Sequence, residues 1–144
     1  MENIERYKHL NSYLKNKFGE RTLKICIDGG FTCPNRDGTV ATGGCIFCSE
    51  RGSGDHINSA FNITNQVKNY FNSYKAQRAN KFIAYFQNFT NTYAPLDELK
   101  SKYDSALIDN RIVALAIATR PDCITEDIAK LLQSYTSKYY VWVE

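Results

Sequence analysis

Three cysteines, Cys33, Cys45 and Cys48, form the strongest chemical pattern in the chain, a C-x11-C-x2-C spacing. They stand in the run Asp28–Gly54, D-G-G-F-T-C-P-N-R-D-G-T-V-A-T-G-G-C-I-F-C-S-E-R-G-S-G, which holds seven of the eight glycines. With Pro34 added, that composition suits neither helix nor strand. It predicts a loop that bends sharply and lets its backbone approach something closely. Ordering such a loop loses much conformational entropy, so a bound object that orders it is expected. Three thiolates can hold a [4Fe–4S] cluster by three of its irons, leaving the fourth open to a small-molecule ligand. Zinc is the alternative: His56 would complete a site of three thiolates and one imidazole, giving a metal-stabilised binding module without turnover. A dithiol redox pair at Cys45 and Cys48 fits less well. That motif should open a helix directly after a strand, and Cys33 would be idle.

Such a loop needs a scaffold, and 144 residues suit one domain with a real apolar core. The net charge of +3 is spread out and does not by itself argue for nucleic acid or a membrane surface. No window has the apolar run of a membrane span, and the N-terminus, M-E-N-I-E-R-Y-K-H-L, lacks the apolar core of a signal peptide. The expectation is a cytoplasmic protein with reduced thiols, where clustered cysteines mean metal or redox chemistry rather than structural disulfides. The sequons at Asn62 and Asn88 then carry no meaning.

Ile4, Tyr7, Leu10, Leu14 and Phe18 recur at helical spacing over residues 3–18, and Gly19 can end that helix. Residues 23–27 alternate as a short strand that runs into the cysteine loop. Ile63, Val67, Tyr70, Phe71 and Tyr74 mark an amphipathic helix to about Arg78. Residues 81–87 (K-F-I-A-Y-F-Q) read as a buried strand. Pro95 can occupy the first turn of a helix with Leu96, Leu99, Tyr103 and Leu107 on one face. Residues 112–118 (I-V-A-L-A-I-A) are the clearest core strand, apolar on both faces. Thr125 can cap a helix bearing Ile128, Leu131, Leu132 and Tyr135, and residues 139–143 form a last buried strand.

Strands alternating with helices predict an α/β fold with a parallel sheet. Four strands are too few to close a barrel. With no helix after the last strand, residues 1–144 are expected to be the N-terminal part of a longer domain. In such folds ligands bind at the carboxyl ends of strands. The cysteine loop, Gln87 with Asn88–Thr92, Thr119–Cys123 and Glu144 all follow strands there. Among the loop charges Arg36, Arg51 and Arg120, Arg120 is best placed to grip a carboxylate or phosphate. Cys26 reads as a buried apolar filler, Cys123 as a structural thiol, and His9 as a solvated surface residue.

Taken together, F-G-E-R (18–21), I-D-G-G-F-T-C-P-N-R-D-G-T (27–39), G-G-C-I-F-C-S-E-R-G-S-G-D (43–55), Y-F-Q-N-F-T-N-T-Y-A-P (85–95) and A-T-R-P-D-C (118–123) carry a family resemblance. The chain resembles the radical S-adenosylmethionine (SAM) superfamily, and within it the bacterial group related to the catalytic subunit of the elongator complex. Members of that group are longer. The superfamily's commonest spacing is C-x3-C-x2-C, and the group resembled here has the longer first gap.

The resemblance implies a partial (β/α) radical-SAM-type barrel, with Cys33, Cys45 and Cys48 as [4Fe–4S] ligands. It implies SAM as the second cofactor, reductively cleaved to a 5′-deoxyadenosyl radical, and hence a reductant protein as partner. Phe47 would flank the adenosyl group. Gln87 occupies the strand-end position that contacts the methionine end of SAM, without the usual G-G-E wording. Glu144 stands where related proteins read E-L-G-x-Q. Relatives in this branch modify the wobble uridine of transfer RNA, which makes tRNA the implied substrate.

Overall fold

A computed structural model of the chain describes residues 9–30, 62–87 and 89–144. Cys33, Cys45, Cys48, Phe47, His56, Arg36, Arg51, Asn88 and the start of the first expected helix lie outside the described residues.

Helix α1 (Leu10–Phe18) leads into strand β1 (Thr22–Ile27). Gly19 ends α1 as expected, with φ 77° and its N–H donating to the Lys15 carbonyl. Then come α2 (Ile63–Phe71), β2 (Lys81–Phe86), α3 (Leu96–Ala106), β3 (Ile112–Ile117), α4 (Glu126–Tyr135) and β4 (Tyr140–Val143). Thr125 caps α4, its hydroxyl accepting from the Ile128 N–H at 3.2 Å. The four strands are all parallel and lie in the order β1-β2-β3-β4. The fold is therefore α/β, a four-stranded parallel sheet alternating with helices.

Three expectations need correction. The helix of residues 63–78 breaks after Phe71: Ser73 turns extended and its hydroxyl and N–H both bond the Tyr70 carbonyl, so residues 74–78 form a separate 3-10 turn. Tyr74, counted on the apolar face, is 71% exposed. Pro95 stands just before α3 rather than within it, with ψ 150°, and Leu96 points partly to solvent. β4 is not a buried strand: Tyr140 and Val143 are exposed, because among the described residues only β3 pairs with it.

Alternation along each strand splits the sheet into two faces. On one, Ile25, Ile27, Phe82, Ala84, Phe86, Leu115 and Ile117 pack against Val67 of α2, Leu99 and Tyr103 of α3, and Ile128 and Leu132 of α4. All three connecting helices thus cover the same face, which is what consecutive parallel crossovers of one hand produce. The opposite face meets α1, where Leu14 packs on Ile83 and Ala114, with Phe18, Tyr13 and Trp142 alongside. A bulge between β2 and β3, where Phe82 pairs with Ile112 but Ile83 with Ala114, passes over Val113 and keeps the two faces in phase.

Candidate functional site at the carboxyl rim of the sheet

The strand pairing continues one residue past each strand end. The Gln87 N–H donates to the Ile27 carbonyl (3.3 Å), Ala118 to Phe86 (3.0 Å) and Glu144 to Ile117 (2.9 Å). The Thr119 N–H in turn donates to the Glu144 carbonyl at 2.9 Å. The predicted rim residues Gln87, Thr119 and Glu144 therefore stand at one level, at the carboxyl edge of the sheet.

The alternation Ile83, Tyr85, Gln87 on β2 and Tyr140, Trp142, Glu144 on β4 sets Gln87 and Glu144 on the face away from α2–α4. There the Tyr85 hydroxyl donates to Glu144 Oε2. Between the two strands β3 presents Ala116, paired on one side with Tyr85 and on the other with Trp142. Its methyl leaves room for the contact. Burial first, then the hydrogen bond and negative charge of Glu144, push the Tyr85 phenol well above its ordinary value, so it is a fixed donor at neutral pH. Lys24 on β1 lies 5.1 Å from the Tyr85 ring centre.

Arg120 is at the rim, but its guanidinium faces its own loop. Nε and Nη2 donate to the two carboxylate oxygens of Asp122 at 2.9 and 2.8 Å. That fork holds the Asp122 carboxyl below the usual carboxylate range. Cys123 donates weakly to Asp122. Cys26 is half-buried, and burial pushes its thiol up against the lesser pull of Lys24 and Lys75, which fits an inert filler. Among the described residues no group of three or more His, Cys, Asp or Glu could hold a metal.

Sequence reasoning missed three sets of contacts, the first of them within the predicted rim segment 88–92. Asn91 is fully buried, and its Nδ2 donates to the carbonyls of Phe86 and Ala118, tying the end of β2 to the end of β3. Thr92 joins the same knot through Thr119 and the Cys123 carbonyl, both at 2.6 Å, and the Tyr103 hydroxyl donates to the Asn91 carbonyl. The run T-N-T (90–92), separated by three residues from the end of a buried strand, was the available signal, since short polar side chains there bond rim backbone. Tyr85 is the second, a polar tip at an alternate position of an apolar strand. Gln66 is the third, an amide on the apolar stripe of α2. Gln66 Oε1 accepts from the Asp28 N–H and Nε2 donates to the Asp28 carbonyl, each at 2.8 Å.

The chain is similar to curated proteins over nearly its whole length. It is 46% identical over 145 residues to "Uncharacterized protein YtqA" of Bacillus subtilis, covering 97% of this chain and 44% of that protein. It is 38% identical over 132 residues to "Protein YhcC" of Escherichia coli K12, covering 91% and 42%. It is 35% identical over 136 residues to "Uncharacterized protein MJ0486" of Methanocaldococcus jannaschii, covering 92% and 41%. The chain thus spans less than half the length of the curated relatives it matches. No protein-family model matches it, and no solved structure does.

Proposed function

We propose that the protein is a radical SAM enzyme, with Cys33, Cys45 and Cys48 holding a [4Fe–4S] cluster by three irons. One observation carries this: the C-x11-C-x2-C run, in its glycine-rich wording, leaves the carboxyl end of β1 at Asp28. The donor set fits the group, since an odd number of thiolates satisfies three irons and leaves one for a chelating amino acid. When bound, the cluster and SAM supply one-electron cleavage of the sulfonium to a 5′-deoxyadenosyl radical, with the electron drawn from a reductant protein. The chain's own part is positional. Gln87 and Glu144 stand at the rim for the polar end of the cofactor, Tyr85 orients the Glu144 carboxylate, and Arg120 reaches a ligand by exchanging Asp122 for it.

The strand order β1-β2-β3-β4 supports a partial (β/α) barrel. A doubly wound sheet reverses its order at a switch point, and this one does not. Transfer RNA is the proposed substrate class, carried by the family resemblance. With a net charge of +3 spread over these residues, the RNA grip belongs to the remainder of the protein or a partner. Among the described residues no helix is long and apolar enough to cross a membrane.

The test is SAM cleavage by full-length protein, reconstituted anaerobically with iron and sulfide and reduced with dithionite. 5′-Deoxyadenosine should form and should vanish on Cys33→Ala, Cys45→Ala or Cys48→Ala. Cleavage that persists in those variants overturns the assignment. A zinc module predicts instead that His56→Ala releases the metal, which a three-thiolate cluster would survive. Comparing modified nucleosides in tRNA with and without the gene tests the substrate, and an unchanged profile rejects it.

A further inference from the structure

Gln66 lies on the stripe of α2 that also presents Ile63, Val67 and Tyr70 to the core, and it is 8% exposed. A leucine would suit that packing better. A buried amide is tolerated there only if both its poles are bonded. Both are, and to one residue: the carbonyl oxygen takes the Asp28 N–H and the amide nitrogen gives to the Asp28 carbonyl, each at 2.8 Å. This two-point pairing reaches across 38 residues of sequence.

The surroundings reinforce it. The Asp28 carboxylate accepts from the Gly30 N–H at 2.9 Å. Lys102 of α3 donates to the Gly29 carbonyl and also meets Glu98 at 3.4 Å. Gly30 has φ 72°, where a side chain would be strained, and a Cβ there would stand 3.5 Å from Lys102 Nζ. On the other side, the Thr64 hydroxyl donates to the Ser105 carbonyl at 2.9 Å, pinning the first turn of α2 to α3. Residues 28–30 and 62–66 are thus fastened to each other and to one helix.

All three cysteines of the C-x11-C-x2-C pattern fall between these fastened points in sequence. We propose that Gln66 is a positioning residue for the metal site: it clasps the two roots of the cysteine run, so that much of the entropy of closing it is already lost before metal binds. The proposal rests on the cluster assignment above. The effect of Gln66 reaches the metal through Asp28.

The test compares full-length wild type with Gln66→Leu, which keeps the packing and removes both bonds, and with Val67→Ala, which weakens the same helix without touching the Asp28 pair. Gln133→Leu, on the exposed face of α4, is the control. Each is reconstituted with iron and sulfide, and the loss of iron to a ferrous chelator is followed in time. Gln66→Leu should lose iron about tenfold faster than wild type and control, on the strength of two ordinary hydrogen bonds. Val67→Ala should lower the metal-free thermal midpoint at least as far as Gln66→Leu does and yet keep its iron like the control. Equal iron retention in Gln66→Leu and wild type overturns the proposal alone. Iron lost as fast from Val67→Ala as from Gln66→Leu assigns the effect to the fold and also overturns it. Wild type that takes up no iron overturns the cluster assignment, and the proposal with it.

Discussion

The two faces of the sheet are built to different rules. Under α2, α3 and α4 every strand contributes large apolar side chains, and Ile27, Phe82, Phe86, Leu115 and Ile117 are entirely buried. Phe82 sits edge-on to Phe71 and Tyr70 at 4.9 and 5.9 Å, and Phe86 to Tyr103 at 5.3 Å. The other face is apolar where α1 lies and turns polar toward the carboxyl rim, through Lys24, Tyr85, Gln87 and Glu144. A parallel sheet normally buries both faces. The proposed cofactor accounts for the polar groups spaced along one of them. One face supplies the fold; the other carries the rim residues of the proposed site.

The sharpest way to break that division is Phe82→Ala. Removing a fully buried ring from the helix-covered face should cost about 3–5 kcal/mol in denaturant unfolding. A loss below ~1 kcal/mol would mean this face is not the main core. Asn91→Leu should come next, at about 2–3 kcal/mol, because the Phe86 and Ala118 carbonyls lose a buried donor. Here SAM cleavage should fall as well, since the knot sets the level of two rim segments.

Tyr85→Phe sharpens the contrast from the open face. Stability should change by only about 1 kcal/mol, for one hydrogen bond at a half-open site. The cleavage rate should drop at least about tenfold as Glu144 loses its orienting donor. Equal small effects on both would make the pair merely structural.

The smallest effect lies at the far end of the sheet. Asp109 takes a fork from Arg111, with Nε and Nη2 each at 2.9 Å, and that bond holds its carboxyl below the ordinary range. A depressed folded value stabilises above the unfolded value near 3.9 and is lost as pH falls through the folded one. Asp109→Asn should cost less than about 1 kcal/mol at pH 7, and wild type and variant should converge below about pH 4 in thermal melts.

Much of the scaffold was legible in the sequence. The strand–helix alternation, Gly19 as a stop and Thr125 as a cap follow from local chemistry, and local chemistry decided them in the structure. The break at Ser73 was not, because the periodic aromatics ran on through Tyr74 while a single hydroxyl captured the Tyr70 carbonyl. The rim level of Gln87 and Glu144 was legible from strand ends alone. Tyr85 against Glu144 was not, since it depends on register across three strands and on the bulge at Val113. The Arg120 fork to Asp122, two residues away, was not read from position alone. Gln66 differs again, a polar letter in an apolar register whose partner, Asp28, only the fold reveals.

The most direct measurement is iron and acid-labile sulfide per full-length chain after anaerobic reconstitution. A three-cysteine cluster predicts about four of each in wild type, lost on replacing Cys33, Cys45 or Cys48 by Ala. About one zinc per chain with no sulfide, or iron unchanged in those variants, would contradict it.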